Sequence, residues 1–355
     1  MTQPHSLVPT IDVSGWGQDP AAEAAIVAAV DAACASIGFL SITGHCIDPG
    51  LIEAMLAEAD AFFELDENEK NSYRSPSPEI NRGFTARETE ALALSLGVQT
   101  PPDLFEAFNI GTEEGPSQTP NGDPVPQEMF AANIWPARPA GFRAAVSDYF
   151  AAAGVQAAQL LEIFAVALGE ERNFFTGYTS HSTDTMRINH YLRAPGQSEP
   201  VDGQQRMGAH TDYGMVTVLY ADSVPGLEIV GPDGLWHGFT PPPGSLLVNL
   251  GDLMATWTND RWKSSLHRVV PPPRAADGPA HRRSVAFFRD GNYDALVECL
   301  PSCVDDEHPA RYAPVLAGEH LMAKLLGPRT LMPSTAASTA GDRIDAVTST
   351  APDPQ

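Results

Sequence analysis

The chain has 355 residues and a formal net charge of −24, and a chain of this length can bury a large hydrophobic core. Because it is so acidic, we expect it to bind neither nucleic acid nor an anionic membrane surface. No window holds the roughly 18 consecutive apolar residues of a membrane span. The four cysteines form no CxxC pair and the N-terminus lacks a secretory pattern, so we expect a cytoplasmic protein. The sequence makes no prediction about oligomeric state.

The first half of the chain is predicted to alternate between short strands and Ala-rich helices. Apolar residues recur at helical spacing in three stretches, and the longest of them is expected to support a sheet. The predicted elements are an edge strand at 8–13, a helix at 21–36, a strand at 37–42, a helix at 50–63, a strand starting near 81–84 and a helix at 142–168. Residues 99–126 are Pro-rich and predicted to be irregular, except for the more ordered run 103–110.

From residue 185 onward, short β-like runs separated by Pro, Gly and Asp turns predict a sandwich or barrel. The predicted strands are 187–192, 215–220, 227–230, 246–249, 266–270 and 284–288, followed by a helix at 317–326. The chain is therefore divided into an N-terminal segment (1–125), a linker with the long helix (126–184), a β core (185–300), a C-terminal helical segment (301–332) and a disordered tail (333–355).

A histidine and an aspartate two residues apart, His210 and Asp212, precede the β-branched, apolar run 216–220. We interpret this segment as one buried strand, on which both side chains point to the same face. An imidazole and a carboxylate placed in this way can bind a divalent transition metal. Such a pair is also common as ordinary hydrogen-bonded structure, so the metal interpretation requires a third ligand.

His267, in the strand-like run 266–270, is the best candidate for that ligand. Two histidines and one carboxylate leave positions open on the metal, which suits Fe(II) that must bind oxygen and a co-substrate. Zinc is more often held by three protein ligands plus water, or by cysteines.

Two further pairs share a strand face: Arg282 with Ser284, and Asn189 with Tyr191. The apolar run around Arg282 implies that its face is partly buried, and a buried guanidinium requires a carboxylate partner. Arginine holds a carboxylate by two parallel hydrogen bonds, and a serine hydroxyl can add a third.

The order of these motifs resembles the 2-oxoglutarate- and Fe(II)-dependent oxygenases of the isopenicillin N synthase-like superfamily, over roughly residues 8 to 328. The resemblance is carried by Gly208-Ala209-His210-Thr211-Asp212-Tyr213-Gly214, Gly244-Ser245-Leu246-Leu247-Val248-Asn249-Leu250-Gly251-Asp252 and Ser265-Leu266-His267-Arg268-Val269. It implies a mainly β protein with flanking helices (α+β), built on a distorted double-stranded β-helix, or jelly roll.

The resemblance also implies roles for these residues. His210, Asp212 and His267 would bind Fe(II), while Arg282 and Ser284 would bind the distal carboxylate of 2-oxoglutarate. Tyr191 would assist that clamp and Asn189 would lie near the metal-chelating end. The enzyme would use O2 and 2-oxoglutarate, release succinate and CO2, and oxidise a small-molecule metabolite. Hydroxylation is the default outcome, and desaturation or cyclisation needs only a different fate of the substrate radical.

Two other functions remain open at this point. Some relatives are oxidases that use no oxoacid, and in these an RxS pair can hold the substrate carboxylate. A non-catalytic binding module is the third possibility, although it predicts that ligands have been lost. Asn189, two residues before Tyr191, matches the 2-oxoglutarate users better.

The residues that contact the substrate are predicted less directly. The candidates are Arg82, Phe84, Phe105, Phe108 and Phe288. Arg82 could hold an anionic group of the substrate or be a solvated surface residue, and the phenylalanines could line the pocket or pack in the core. Asp252 could hydrogen-bond a metal-ligand histidine or end a strand. His237 and His281 lie in turn-rich stretches and are expected to be solvated.

Overall fold

The computed structural model describes residues 7–119, 121–192, 200–271 and 281–330. Six α-helices lie in this part of the chain: α1 (Pro20–Ser36), α2 (Pro49–Phe63), α3 (Glu67–Asn71), α4 (Phe142–Ala167), α5 (Asp252–Trp257) and α6 (Ala317–Thr330). Four 3-10 helices span Leu92–Leu96, Gln127–Phe130, Phe174–Tyr178 and Pro301–Cys303. Asp19 and Asp48 cap α1 and α2 by accepting from backbone N–H groups, and a proline follows each cap.

The described strands form an eight-stranded major sheet, a four-stranded minor sheet and a two-stranded ribbon. They are β1 (Thr10–Asp12), β2 (Phe39–Thr43), β3 (Gly83–Thr85), β4 (Glu106–Gly111), β5 (Thr185–Tyr191), β6 (Met207–His210), β7 (Val216–Ala221), β8 (Leu227–Val230), β9 (Trp236–Gly238), β10 (Leu246–Leu250), β11 (His267–Val269), β12 (Arg282–Arg289), β13 (Leu296–Val297) and β14 (Val315–Leu316). The major sheet has the order β1-β2-β10-β7-β12-β5-β4-β3, and the minor sheet β6-β11-β8-β9. β13 pairs with β14.

The two faces of the major sheet pack against different partners. On its outer face, Val285 and Phe287 of β12 share a core with Phe62 of α2 and Leu160 of α4. On its inner face, Leu247 of β10 packs with residues of β8 in the minor sheet. Two sheets facing each other, with helices outside, confirm the jelly-roll core with flanking helices.

The strand predicted through the His210–Asp212 segment is wrong in one respect. β6 ends at His210, the chain crosses to the other sheet, and β7 begins at Val216. Asp212 therefore lies in the crossing segment, and strand alternation is not what aligns it with His210. The hydrophobic pattern could not show the crossing because both flanking segments are apolar.

Most of the remaining predicted elements are present, with ends shifted by a few residues. The edge position of β1 is confirmed, and it pairs in parallel with β2. Sequence reasoning missed the short strand β9 and the helix α5, which begins at Asp252 where a strand was expected to end. The tail predicted at 333–355 lies outside the described residues, and the five-part division of the chain stays a prediction.

Helix α4 is long and apolar enough to cross a membrane by length and composition alone. In the structure it contacts α1, α2, β7 and β12. Its Val146, Tyr149, Ala153 and Leu160 are fully buried in the core. Helices that cover a sheet commonly have this composition.

Candidate active site

The two candidate histidines are held side by side by the minor sheet. β11 pairs antiparallel with β6, and His267 lies directly opposite His210. Their ring centroids are 4.3 Å apart. Antiparallel pairing of two short strands therefore brings together residues that are 57 positions apart in the sequence.

Asp212 reaches the same point from the crossing segment, and one of its two oxygens is restrained. Oδ2 accepts hydrogen bonds from Asn249 Nδ2 at 2.6 Å and from the Thr217 hydroxyl. Oδ1 faces the histidines, 3.8 Å from His210 Nε2 and 3.7 Å from His267 Nε2. Asn249 and Thr217 belong to the major sheet, so the three candidate ligands come together between the two sheets.

Both imidazoles are oriented by backbone carbonyls. His210 Nδ1 donates to the Gly208 oxygen at 2.8 Å, and His267 Nδ1 donates to the Ser265 oxygen at 3.2 Å. Because a carbonyl oxygen can only accept, Nδ1 carries the proton and Nε2 presents its lone pair. This tautomer is the one that a metal requires at Nε2.

Burial and charge favour the ligand forms of these groups. Burial, together with the nearby His267, lowers the pKa of His210, which keeps its imidazole neutral. Burial alone would raise the pKa of Asp212. The histidines and the hydrogen bonds from Thr217 and Asn249 outweigh burial and lower that pKa, so Asp212 is held as a carboxylate.

These donors fit iron. Two imidazole nitrogens and one carboxylate oxygen lie within 4.8 Å of one another, and no cysteine takes part. This donor set is that of the two-histidine, one-carboxylate iron sites that activate oxygen.

The predicted 2-oxoglutarate clamp lies on the inner face of the paired strands β5 and β12. Arg282 is opposite Tyr191 and Ser284 is opposite Asn189. Asn189 Nδ2 donates to Ser284 Oγ at 3.3 Å, and the Arg282 guanidinium lies over the Tyr191 ring. The Tyr191 hydroxyl itself contacts Met207 Sδ at 3.7 Å. Tyr191 therefore supports the guanidinium through its ring.

Arg282 lacks the acceptors that its burial requires. Only 1% of the residue is exposed, yet neither Nε nor Nη1 has a hydrogen-bond partner among the described residues. Buried donors without acceptors destabilise the folded protein, and a carboxylate that accepts from both nitrogens would remove this destabilisation. The site therefore fits the distal carboxylate of 2-oxoglutarate.

One cavity contains both groups of residues. Its lining includes His210, Asp212, His267, Arg282, Ser284, Asn189 and Tyr191. Phe288 lines the same cavity, because it shares the inner face of β12 with Arg282 and Ser284. Met129, Leu321 and Leu325 also line the cavity, so residues outside the β core contribute to the substrate end.

Three of the candidate substrate residues do not reach this cavity. Phe84 and Phe108 pack around Phe62 in the core between the major sheet and the helices. Phe105 packs behind the clamp, edge-on to Tyr191. The expectation that these three rings contact the substrate is corrected accordingly.

Arg82 lines the cavity and is not solvated. Only 2% of the residue is exposed, so the surface alternative is wrong. Its nitrogens donate to the backbone carbonyls of Asn81, Thr112, Met129 and Ala131. Arg82 thus ties the segment around Met129 to strands β3 and β4.

Asp252 hydrogen-bonds neither His210 nor His267, although it contacts both candidate ligand segments. It accepts from the Thr211 hydroxyl at 3.1 Å and from the Ser264 hydroxyl at 2.8 Å, and it pairs with Lys324 at 3.3 Å.

Sequence reasoning gave no role to Thr217 or Asn249. Asn249 stood inside a quoted motif, and a lone polar residue in a buried strand was the available signal.

Comparisons with known proteins agree with this site. Residues 8–138 match the family model described as non-haem dioxygenase in morphine synthesis N-terminal, and residues 182–291 match the 2OG-Fe(II) oxygenase superfamily. The 2-oxoglutarate-Fe(II) type oxidoreductase hxnY of Emericella nidulans is 33% identical, covering 86% of each chain. The validamycin A dioxygenase of Streptomyces hygroscopicus subsp. limoneus is 32% identical, covering 89% of this chain and 85% of the relative.

Solved structures lead to the same family. A full-length Neurospora crassa protein, crystallised in complex with alpha-KG (2-oxoglutarate), has a TM-score of 0.77 and 29% identity, covering 90% of this chain and 95% of that chain. The complex of the same Neurospora protein with alpha-KG and thymine has a TM-score of 0.75. The chain thus belongs to the 2OG-Fe(II) oxygenase superfamily and is an Fe(II)- and 2-oxoglutarate-dependent dioxygenase that uses O2.

Proposed function

We propose that this dioxygenase hydroxylates a small-molecule metabolite, with His210, Asp212 and His267 as the iron ligands. The observation that carries the proposal is the orphaned guanidinium of Arg282, in the same cavity as three converging ligand atoms. The relatives that act on validamycin A and bind thymine support a small substrate.

When bound, Fe(II) and 2-oxoglutarate supply an oxidative decarboxylation that activates O2 and releases succinate and CO2. The chain's own residues position these groups. Arg282 and Ser284 hold the distal carboxylate, and Asn189 keeps Ser284 oriented through its hydrogen bond. Thr217 and Asn249 fix Asp212 so that a single oxygen faces the metal position.

The alternative, an oxidase that uses no oxoacid, is not favoured. The relatives compared above are 2-oxoglutarate enzymes by name or bind alpha-KG in their crystals. A non-catalytic binding module is disfavoured because all three ligand side chains are present and correctly oriented.

The test is an anaerobic titration of the Fe(II)-loaded protein with 2-oxoglutarate, followed by visible absorption. We expect the weak charge-transfer band of chelated 2-oxoglutarate in the wild-type protein and its loss in His267→Ala. In Arg282→Ala the band should need far more 2-oxoglutarate to form. Iron binding without a band at any 2-oxoglutarate concentration would support the oxoacid-independent oxidase instead.

The charge of the substrate can be proposed from the cavity. The sequence favoured an anionic group held by Arg82, but that guanidinium donates to backbone carbonyls, and Arg187 is paired with Glu90 at 2.7 Å. Glu79 and Glu128 also line the cavity, and no cation pairs with either within the described ranges. We therefore propose a neutral or cationic substrate.

A panel of small molecules sorted by charge, screened for substrate-dependent succinate release, tests this proposal. We expect turnover with neutral or cationic compounds, and turnover confined to anions would overturn it.

We also propose a cytoplasmic location without membrane or nucleic-acid binding. The free thiols of all four cysteines and the net charge of −24 support this location, and cell fractionation tests it.

A further inference from the structure

A second group of two histidines and one aspartate lies on the outer face of the strands that carry the clamp. Asp60 belongs to α2, His190 to β5, and His281 immediately precedes β12. One ligand atom of each residue lies within 4.8 Å of those of the other two, as in the active site. His281, which the sequence led us to expect in solvent, packs edge-on against His190 with ring centroids 4.5 Å apart.

Two of the three candidate ligand atoms are buried without partners. Asp60 Oδ1 and His281 Nε2 make no hydrogen bond to any described residue, and they lie 3.8 Å apart. This separation equals the distance between His210 Nε2 and Asp212 Oδ1 in the active site. A buried polar atom without a hydrogen bond destabilises the fold, and a cation between the two atoms would satisfy both.

The third residue of the cluster, His190, is already held in place. His190 Nδ1 donates to Glu106 Oε1 at 2.9 Å, while the other oxygen of Glu106 accepts from Lys70 Nζ at 2.6 Å. Because a carboxylate oxygen accepts, this bond places a proton on Nδ1, and His190 would bind a metal through Nε2. The His190 ring is also stacked on Phe63 at 4.6 Å. A carboxylate that orients a histidine in this way is typical of metal-bound histidines.

The carboxylates around the cluster have their own cationic partners. Asp60 and Asp222 lie beside Arg283, and Glu106 lies beside Lys70. Arg283 Nη1 holds Asp60 Oδ2 at 2.7 Å and so leaves Oδ1 as the ligand oxygen. The Asp60 and His281 side chains are 30% and 32% exposed, so the cluster lies close to the protein surface.

We propose that Asp60, His190 and His281 form a second metal site, which binds a first-row divalent transition metal and for which Zn2+ is the expected occupant. Imidazole nitrogens disfavour Ca2+ and Mg2+, which prefer all-oxygen ligands. Three protein ligands leave the fourth position of tetrahedral zinc to water. Ligand atoms about 2.0–2.2 Å from the metal are roughly 3.3 Å apart, so Asp60 and His281 need to approach by only about half an ångström.

This metal would connect α2 to the strands of the clamp. His190 lies between Asn189 and Tyr191, and His281 directly precedes Arg282. Neighbouring residues on a strand point to opposite faces, so ligation outside restrains the same backbone that positions the clamp inside. The site is separate from the iron ligands, and its occupancy does not depend on catalysis.

The experiment is equilibrium dialysis of the full-length protein against micromolar Zn2+, followed by metal analysis. We expect two equivalents in the wild-type protein, one in His281→Ala and one in His267→Ala. The double variant should bind none. His237→Ala is the matched control, because its imidazole pairs with Asp233 on the surface and belongs to neither cluster; it should keep two equivalents.

A folding defect can be distinguished from the loss of a site. His281→Ala must still show the 2-oxoglutarate absorption band after loading with Fe(II). Asp60→Asn, a substitution of the same size at a partly exposed position, must also lose one equivalent. A single equivalent in the wild-type protein, or two in both His281→Ala and Asp60→Asn, would overturn the proposal. A second equivalent that the double variant also binds would mark non-specific surface binding and overturn it as well.

Discussion

The inner and outer faces of the β5–β12 pair use arginine in opposite ways. Arg283, on the outer face, lies between Asp60 and Asp222, with Asp60 Oδ2 at 2.7 Å. Arg282, on the inner face, has no carboxylate within ion-pair distance anywhere in the described ranges, although it is the more buried of the two. A guanidinium that is paired with carboxylates of the protein contributes to the stability of the fold. A buried guanidinium without such a carboxylate indicates that a ligand supplies it.

The largest expected effect tests this difference directly. Removal of one partner of a buried charged pair costs about 3 kcal/mol, so Arg282→Ala should raise the Kd for 2-oxoglutarate by ~100-fold. Arg283→Ala should change the same Kd less than about threefold, because its charge is already neutralised on the other face. Titration of both Fe(II)-loaded variants measures this, and equal losses would contradict the comparison.

The next effect concerns the residues that restrain Asp212. Asn249→Ala removes the 2.6 Å hydrogen bond to Oδ2, and we expect iron affinity to fall about 10–100-fold, as for other residues that orient metal ligands. The matched control is Asn109→Ala. Asn109 is equally buried, but it bonds Gly83 and Thr85 far from the metal position. If competition with an iron chelator gives the same affinity for both variants, Asn249 has no positioning role.

A smaller effect separates the two helpers of the clamp. Ser284→Ala removes one hydrogen bond to the distal carboxylate, worth about 1 kcal/mol or roughly fivefold in the Kd for 2-oxoglutarate. Tyr191→Phe should have less effect, because its hydroxyl contacts Met207 and its ring remains under Arg282. The reverse order in the same titration would mean that the Tyr191 hydroxyl contacts 2-oxoglutarate.

The smallest effect lies on the outer face and depends on pH. Burial would raise the pKa of Glu106, but His190 and Lys70 outweigh burial and lower it below its ordinary value of 4.5. Glu106 therefore stabilises the fold above about pH 4.5, and this contribution is lost as the pH falls through the lowered pKa. We expect Glu106→Gln to reduce the free energy of unfolding at pH 7 and to have less effect near pH 4.

Denaturant unfolding of the wild-type protein and Glu106→Gln at both pH values measures the difference. Asp233→Asn is a suitable control, because Asp233 pairs with a histidine on the surface. A difference between wild type and Glu106→Gln that does not shrink toward pH 4 would show that Glu106 contributes nothing through its charge.

The sequence was sufficient to predict which side chains lie together but not the path of the chain between them. His210, Asp212 and His267 do converge, and Arg282 with Ser284 and Asn189 with Tyr191 do share one face of paired strands. Those features follow from the alternation of side chains along a strand and from the order of the motifs. The crossing between sheets after His210 could not be predicted, because hydrophobic periodicity shows which residues are apolar and not which sheet they join.

The substrate end was the hardest part to predict. Alternation divides a strand such as β4 into two faces, but it does not say which face the helices cover. Phe108 was therefore a reasonable candidate until the structure placed it against Phe62. Hydrogen bonds to four backbone carbonyls hold the Arg82 guanidinium away from the role of a substrate contact. Such bonds depend on the tertiary structure and cannot be read from the sequence.

The position of the ligands between two sheets has a mechanical consequence. His210 and His267 belong to the minor sheet, whereas Asp212 is tied through Thr217 and Asn249 to the major sheet. An ion bound by all three residues would thus cross-link the two halves of the jelly roll, and loading at 100 times the Kd would stabilise the native state by about 2.7 kcal/mol. Amide hydrogen exchange in β6 and β11 should then slow on loading more than in β2, because the ion would oppose separation of the two sheets.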